Sequence, residues 1–370
     1  MTILQEALEP ANGIEHLSAA EATDNADIAK LLHGTALCRG QRAIMGESQV
    51  QRQTVLVYAR QMPDFACLDQ CLSRLSHPAV RDLAWTLLAP PLLRQTPFEQ
   101  RHPLSASDWS HTPALLENWL LQQDLQPAAL LNWLSTARSQ RLGMYYERLW
   151  QFALQQAPGI ELLGANLAIR QDGRTLGELD VVLRDAQGVH HLELAIKLYL
   201  GPGAADGRAH AHWQGAGHAD NLARKLQHLG QQQLPLSSTP QALQVLAGFT
   251  AQAVQASVWM SGYLFYPWPS GCHAPSGMHP QAAHGQWLEL QDWPAFRAAN
   301  QQLVWQPVPA DCRLAPVSDS VPQPSTDDWL QHLPASPKPV LLAGLEQSSE
   351  GRWLERQRVM LLRRDWSAGN

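Results

Sequence analysis

Lysine is scarce in this chain. Only Lys30, Lys197, Lys225 and Lys338 occur among 370 residues, and the remaining positive charge is arginine. Charge of either sign is sparse, with 27 Lys+Arg against 33 Asp+Glu giving a formal net charge of −6 and charged residues making up 16%. That balance argues against coating nucleic acid by bulk electrostatics, and it leaves room for a local basic groove. Cysteine is limited to Cys38, Cys67, Cys71, Cys272 and Cys312, which are scattered and form no C-x-x-C pair. An odd, dispersed set excludes a disulfide framework and reads as reduced thiols. No run of ~18 apolar residues occurs, so no membrane helix is expected. The opening MTILQEALEP lacks the basic-then-apolar pattern of a secretory signal, and a cytoplasmic location is expected. With no G-x-S-x-G and no Walker loop, serine-hydrolase and P-loop chemistry have no support.

What is present is a core. Hydrophobic residues make up 45% of the chain, ample for burial, and the length suggests two or three units. Residues 1–72 read as a variable extension with short apolar pieces among polar stretches such as AAEATDNAD. A helical lead-in follows over 73–140. In it, HPAVRDLAWTLLAPPLL puts Pro78 at a helix start, Val80, Leu83, Ala84 and Leu87 at helical spacing, and Pro90-Pro91 as the stop. Residues 112–137 read as two further helices parted at Pro127. Residues 269–370 are expected to be irregular and to pack on the core, because 306–340 alone contains eight prolines. Within that region RWLERQRVMLLRRDW reads as either a strand or a helix that docks back.

The central unit, 141–268, is the most informative. Leu142 to Gln156 sets Leu142, Tyr145, Tyr146, Leu149, Phe152 and Ala153 on one helical face. Three strand-like runs follow at 162–170, 175–184 and 189–200. They are joined by the turns Asp172-Gly173 and Asp185-Ala186-Gln187-Gly188, short enough to make an antiparallel meander. Asp220 to Gln231 reads as a helix and Ser257 to Tyr266 as a strand. The order is helix, three strands, helix, strand, an α/β arrangement.

Alternation along the second strand places Leu179, Val181 and Leu183 opposite Glu178, Asp180 and Val182. The third alternates Leu192, Leu194, Ile196 and Leu198 with Glu193, Ala195 and Lys197. Both strands are thus expected to carry ionisable groups on a face away from the core, and Asp180, Glu193 and Lys197 to share one patch. Converging carboxylates with a lysine suit a hard divalent cation such as Mg²⁺. They suit phosphodiester hydrolysis, in which metal and lysine act on water and developing charge. The plainer alternative is the solvent face of an ordinary antiparallel sheet. Glu147 adds weight as the lone acid in the helical stripe Gly143, Glu147, Trp150, Leu154, with side-chain-free Gly143 one turn before it.

Glu147 on a first helix, Asp180 in GELD, and Glu193 and Lys197 in ELAIK resemble the PD-(D/E)xK (restriction-endonuclease-like) nuclease superfamily, whose core is αβββαβ. From about Ser73 the chain also resembles a bacterial family called domain of unknown function 1853, regarded as a predicted branch of that superfamily. The segments that carry this likeness are HPAVRDLAWTLLAPPLL, LGMYYERLW, GELDVVL, HLELAIKLYLG and GYLFYPW. The resemblance implies a Mg²⁺- or Mn²⁺-dependent nuclease acting on DNA or RNA. Glu147, Asp180 and Glu193 would surround the metal, with Asp180 and Glu193 as direct ligands and Lys197 as the catalytic cation.

One departure bears on activity. The superfamily lysine stands two residues after the acid, where this chain has Ala195, and Lys197 lies about 6.6 Å further along the same strand face. Either the lysine has migrated or the site is a silent module that binds nucleic acid or a protein partner. Lys225 and Arg224, in the helix stripe Asn221, Arg224, Lys225, His228, are further candidates to meet substrate phosphate.

Other signals are weaker. Gly201, Gly203 and Gly207 read as a mobile loop beside a strand end rather than a dinucleotide loop, since Pro202 intervenes and no helix follows directly. His210, His212 and His218 lack a Cys or Glu partner at zinc spacing. The tryptophans read as core or interface aromatics, and Cys67 and Cys71 as packing residues. A paired-carboxylate glycosidase would leave the lysine and the topology unexplained.

Overall fold

Why the apolar runs of 141–268 form a sheet, and what that sheet lacks without its C-terminal neighbours, governs the architecture. A computed structural model describes residues 57–58, 65, 67–137, 139, 141–217, 220–309, 312–318, 329–330 and 338–363. Except for 57–58, 65 and 67–72, the expected extension 1–72 lies outside the described residues.

The lead-in begins with β1 (Val57–Tyr58), α1 (Leu68–Ser73), α2 (Pro78–Leu88) and β2 (Gln95–Thr96), the last pairing antiparallel with β1. It ends with α3 (Asp108–His111), α4 (Pro113–Leu125) and α5 (Ala128–Ser135), and α6 (Leu142–Leu154) opens the central unit. Pro78 starts α2, where its missing N–H has no partner to lose. Burial extends beyond the expected apolar face, covering every residue from Ala79 to Leu88. Asp82 is accommodated there because its carboxylate accepts from the Tyr145 hydroxyl and from the backbone N–H groups of Arg313, Leu314 and Ala315.

After α6 come β3 (Glu161–Gln171), β4 (Arg174–Asp185) and β5 (Gly188–Leu200), antiparallel in that order. Next is β6 (Gln214–Gly215), then α7 (Leu222–His228), a π-helical turn over Leu229–Gln233 and α8 (Leu234–Leu236). The helix expected over 220–231 is therefore a longer, composite one. After α9 (Pro240–Leu246), β7 (Val254–Pro267) pairs parallel with β5 along its length, from Val189↔Val254 to Leu200↔Phe265.

The C-terminal region differs from expectation. In place of an irregular segment it supplies β8 (Ala283–Glu289), α10 (Trp293–Ala299), β9 (Val304–Pro307), β10 (Val340–Gln347) and β11 (Trp353–Leu362). These strands extend the sheet beyond β7 in the order β3-β4-β5-β7-β8-β11-β10-β9, with β6 attached to β5. The physical reason is that β7 is almost wholly buried and needs a hydrogen-bonded neighbour on each side. Parallel pairing with β8 provides it over Tyr263–Pro267, and the backbone of Leu92, Glu99 and Arg101 bonds Val258 and Met260.

Helices cover both faces of β5. On one, Tyr146, Leu149, Trp150 and Ala153 of α6 join a core with Leu192, Leu194 and Ile196. On the other, Leu222, Leu226 and Leu229 join Ala195, Tyr199, Met260 and Leu264. The face expected to lie away from the core is therefore core as well, with His191 and Glu193 inside it. Strand β4 also departs from simple alternation. Leu179 packs with Val182 and Leu236, whereas Val181 and Leu183 lie in the α6 core. The strand switches faces next to Asp180.

Candidate functional site

Three irregularities meet around Asp180. Strand β4 pairs with β5 only from Val181↔Leu192 to Asp185↔Gly188, so the two part company at Asp180. The Asp180 carboxylate fills the gap by accepting the Leu194 N–H at 2.9 Å. Opposite it on β3, between the pairs Ala165↔Val181 and Leu167↔Leu179, sits Asn166 with φ 49°. Asparagine is among the few non-glycine residues that tolerate this left-handed conformation.

Asn166 links this opening to α6. Its Nδ2 donates to Glu147 Oε2 at 3.1 Å, and its Oδ1 accepts from Gln151, one turn after Glu147. Space beside Glu147 is open at Gly143, where an added Cβ would meet nothing within 4 Å. On β5, Glu193 is 1% exposed. One of its oxygens faces His191 Nε2 at 2.9 Å and the other accepts from Gln233. Gln233 Oε1 in turn accepts from Lys225 Nζ at 2.8 Å.

The electrostatics mark these groups as one site. Burial raises the Glu147 carboxyl to about 7, helped by the charge of Asp180. Burial and the Glu193 charge raise Asp180 to about 7, and burial raises Glu193 to about 7 against the pull of Lys225. Lys225 is shifted down, first by burial and then by the charge of Lys197. His191 is lowered to about 4 by burial, and its Nε2 lies 2.9 Å from Glu193 Oε1. Three carboxyls raised toward neutrality thus lie within charge range of one half-buried ammonium.

Of the residues singled out from the sequence, Glu147, Asp180, Glu193 and Lys225 interact with one another. Lys197 is turned to a different partner, Asp220 Oδ2 at 2.5 Å. It remains within charge range of Lys225. The stripe Asn221, Arg224, Lys225, His228 does not act as a unit. Asn221 caps α7 through its side chain, Arg224 and His228 are exposed, and Lys225 alone turns inward. His210 and His212 contact the backbone carbonyls of Ser276 and Asp206, and His218 lies outside the described residues. Among the described residues, no group of three or more His, Cys, Asp or Glu side chains is arranged to hold a metal ion. The donor chemistry of the Asp180 and Glu193 pair nonetheless fits Mg²⁺, which commonly takes one or two carboxylates and keeps several waters.

The sequence reading did not include Asn166, Gln151, His191 or Gln233. His191 was the most accessible of these, since it lies two residues before Glu193 on the same strand face.

The profile of a family described as "Domain of unknown function (DUF1853)" matches residues 81–362. The chain belongs to this family. The DUF1853 match runs from within α2 to the end of β11 and so takes in every side chain of the site. No curated protein and no solved structure matches the chain.

Proposed function

We propose that this DUF1853 protein is a divalent-metal-dependent nuclease whose site is built from Glu147, Asp180, Glu193 and Lys225. The observation that carries the reading is the meeting of three carboxyls, each raised to about 7, with a half-buried lysine beside the place where β4 parts from β5. The element order supports it, since α6, β3, β4, β5, α7 and β7 follow the αβββαβ order of the PD-(D/E)xK core, with β6, α8 and α9 as additions between β5 and β7.

Asp180 and Glu193 would hold Mg²⁺ or Mn²⁺. The cation would polarise the phosphodiester and acidify the attacking water. The Lys225 ammonium, placed among the acids, offsets negative charge developing on the phosphoryl oxygens. Glu147, with one oxygen held by Asn166, would be the carboxylate to take a proton from water. Lys225, on the helix, would serve in place of the strand lysine that Ala195 replaces, and Lys197 and exposed Arg224 would be the further cations available to the substrate backbone.

The test is cleavage of single- and double-stranded DNA and of RNA with Mg²⁺ or Mn²⁺. The parent should cleave at least one, and Asp180→Asn and Glu193→Gln should each lose at least about a hundredfold, more than the loss typical of an outer-shell change. Equal cleavage by parent and Asp180→Asn removes the reading. A second reading, a silent module that binds nucleic acid or a protein partner, is favoured by Ala195 and by the engagement of Lys197 with Asp220. It predicts tight nucleic-acid or protein binding with no metal requirement.

A further inference from the structure

We infer that Gln233 is a positioning residue that holds Glu193 and Lys225 in one register, and that the π-helical turn Leu229–Gln233 puts it there. The inference rests on the site as read above and adds a residue to it. A neutral amide both donates and accepts, so it can bridge a carboxylate and an ammonium at once. Gln233 does this, with Nε2 donating to Glu193 Oε2 and Oε1 accepting from Lys225 Nζ at 2.8 Å. The amide orientation is determined by its partners. A flipped amide would set oxygen against carboxylate and N–H against ammonium.

The helix geometry accounts for the reach. In a regular α-helix, residues seven apart share a face and residues eight apart lie about 80° around from each other. Gln233 is eight residues beyond Lys225. A π turn closes with one residue more than an α turn, so it returns the eighth residue to the line of the first. Packing on either side keeps that phase. Leu226 and Leu229 seat in the core shared with Ala195 and Tyr199, and Leu236 seats in the core shared with Leu179 and Val182. The neighbouring Gln231 and Gln232 are exposed, and of the three consecutive glutamines only Gln233 turns inward.

The experiment is calorimetric titration of Mn²⁺ into the full-length protein as parent, Asp180→Asn, Gln232→Ala, Gln233→Ala and Gln233→Met. Methionine keeps the length and volume of glutamine but neither hydrogen bond, so it separates positioning from packing. We expect Gln233→Met and Gln233→Ala each to weaken Mn²⁺ binding about tenfold or more, with Gln232→Ala unchanged. Parent-like affinity in Gln233→Met overturns the inference while leaving the site reading intact, provided Asp180→Asn has lost the isotherm. No isotherm in the parent, or full affinity in Asp180→Asn, overturns the site reading and this inference with it.

Discussion

His102 shows how strongly single residues here depend on their charge state. It is 3% exposed, its ring lies 5.5 Å from Trp150 and 4.7 Å from Trp259, and both nitrogens are in use. Nε2 faces Leu87 O at 3.0 Å while Nδ1 accepts the Leu104 N–H at 3.1 Å, which fixes one neutral tautomer. Burial lowers its pKa to about 3. A folded-state value below the unfolded one means stability is full above about 6.5 and lost as pH falls, by about 2 kcal/mol at roughly pH 5. Asp82, raised to about 6 by burial, has the opposite sign, so the test compares variants. Urea unfolding at two pH values should show that His102→Gln loses that acid-side slope, and an unchanged slope refutes the assignment. At this scale the sequence was only partly legible. Glu147, Asp180 and Glu193 stood out as acids in otherwise apolar elements, although simple alternation missed both the face switch of β4 at Asp180 and the burial of Glu193. Gln233 did not, because a π turn breaks the period, and Asn166 did not, because its left-handed backbone is invisible to alternation.

Among the elements, the close pairing of β5 with β7 depends on Gly262. It has φ 148°, and a Cβ there would lie 1.8 Å from Lys197 O, its register partner. Gly262→Ala should therefore cost about 3 kcal/mol or more in denaturant unfolding and disturb β5 at Lys197. A loss below about 1 kcal/mol would show that the strands can separate locally at little cost. The sequence reading placed α6, β3, β4, β5 and β7 within a few residues of their observed ends, because turns such as Asp172-Gly173 punctuate strong apolar runs. It did not place β8, β9 and β10, and it left β11 open between a strand and a helix. Prolines concentrated between 307 and 339 suggested an irregular wrap, whereas the short apolar runs on either side obtain their strand character from the edge that β7 offers.

For the molecule as a whole, distant parts of the chain are fastened by buried polar groups rather than by covalent links. Asp82 of α2 holds the backbone N–H groups of Arg313, Leu314 and Ala315, and Arg358 donates to Leu314 O and Ala315 O while paired with Glu355. Asp82→Ala would leave three backbone donors and the Tyr145 hydroxyl without their acceptor. It should cost about 3 kcal/mol or more in thermal or urea unfolding, and a near-neutral result would show that water replaces the carboxylate. Among the described residues no helix is long and apolar enough to cross a membrane. The net charge of −6 includes the three carboxylates of the site, which a bound cation would partly neutralise, so it does not by itself oppose a nucleic-acid partner. The central claim is that Asp180 and Glu193 hold a divalent metal beside Lys225. Its most direct test is a crystal structure of the protein with Mn²⁺, read by anomalous scattering. The account predicts a peak bonded to carboxylate oxygens of both Asp180 and Glu193, with Gln233 still bridging Glu193 to Lys225. A peak elsewhere, or none at saturating Mn²⁺, would contradict it.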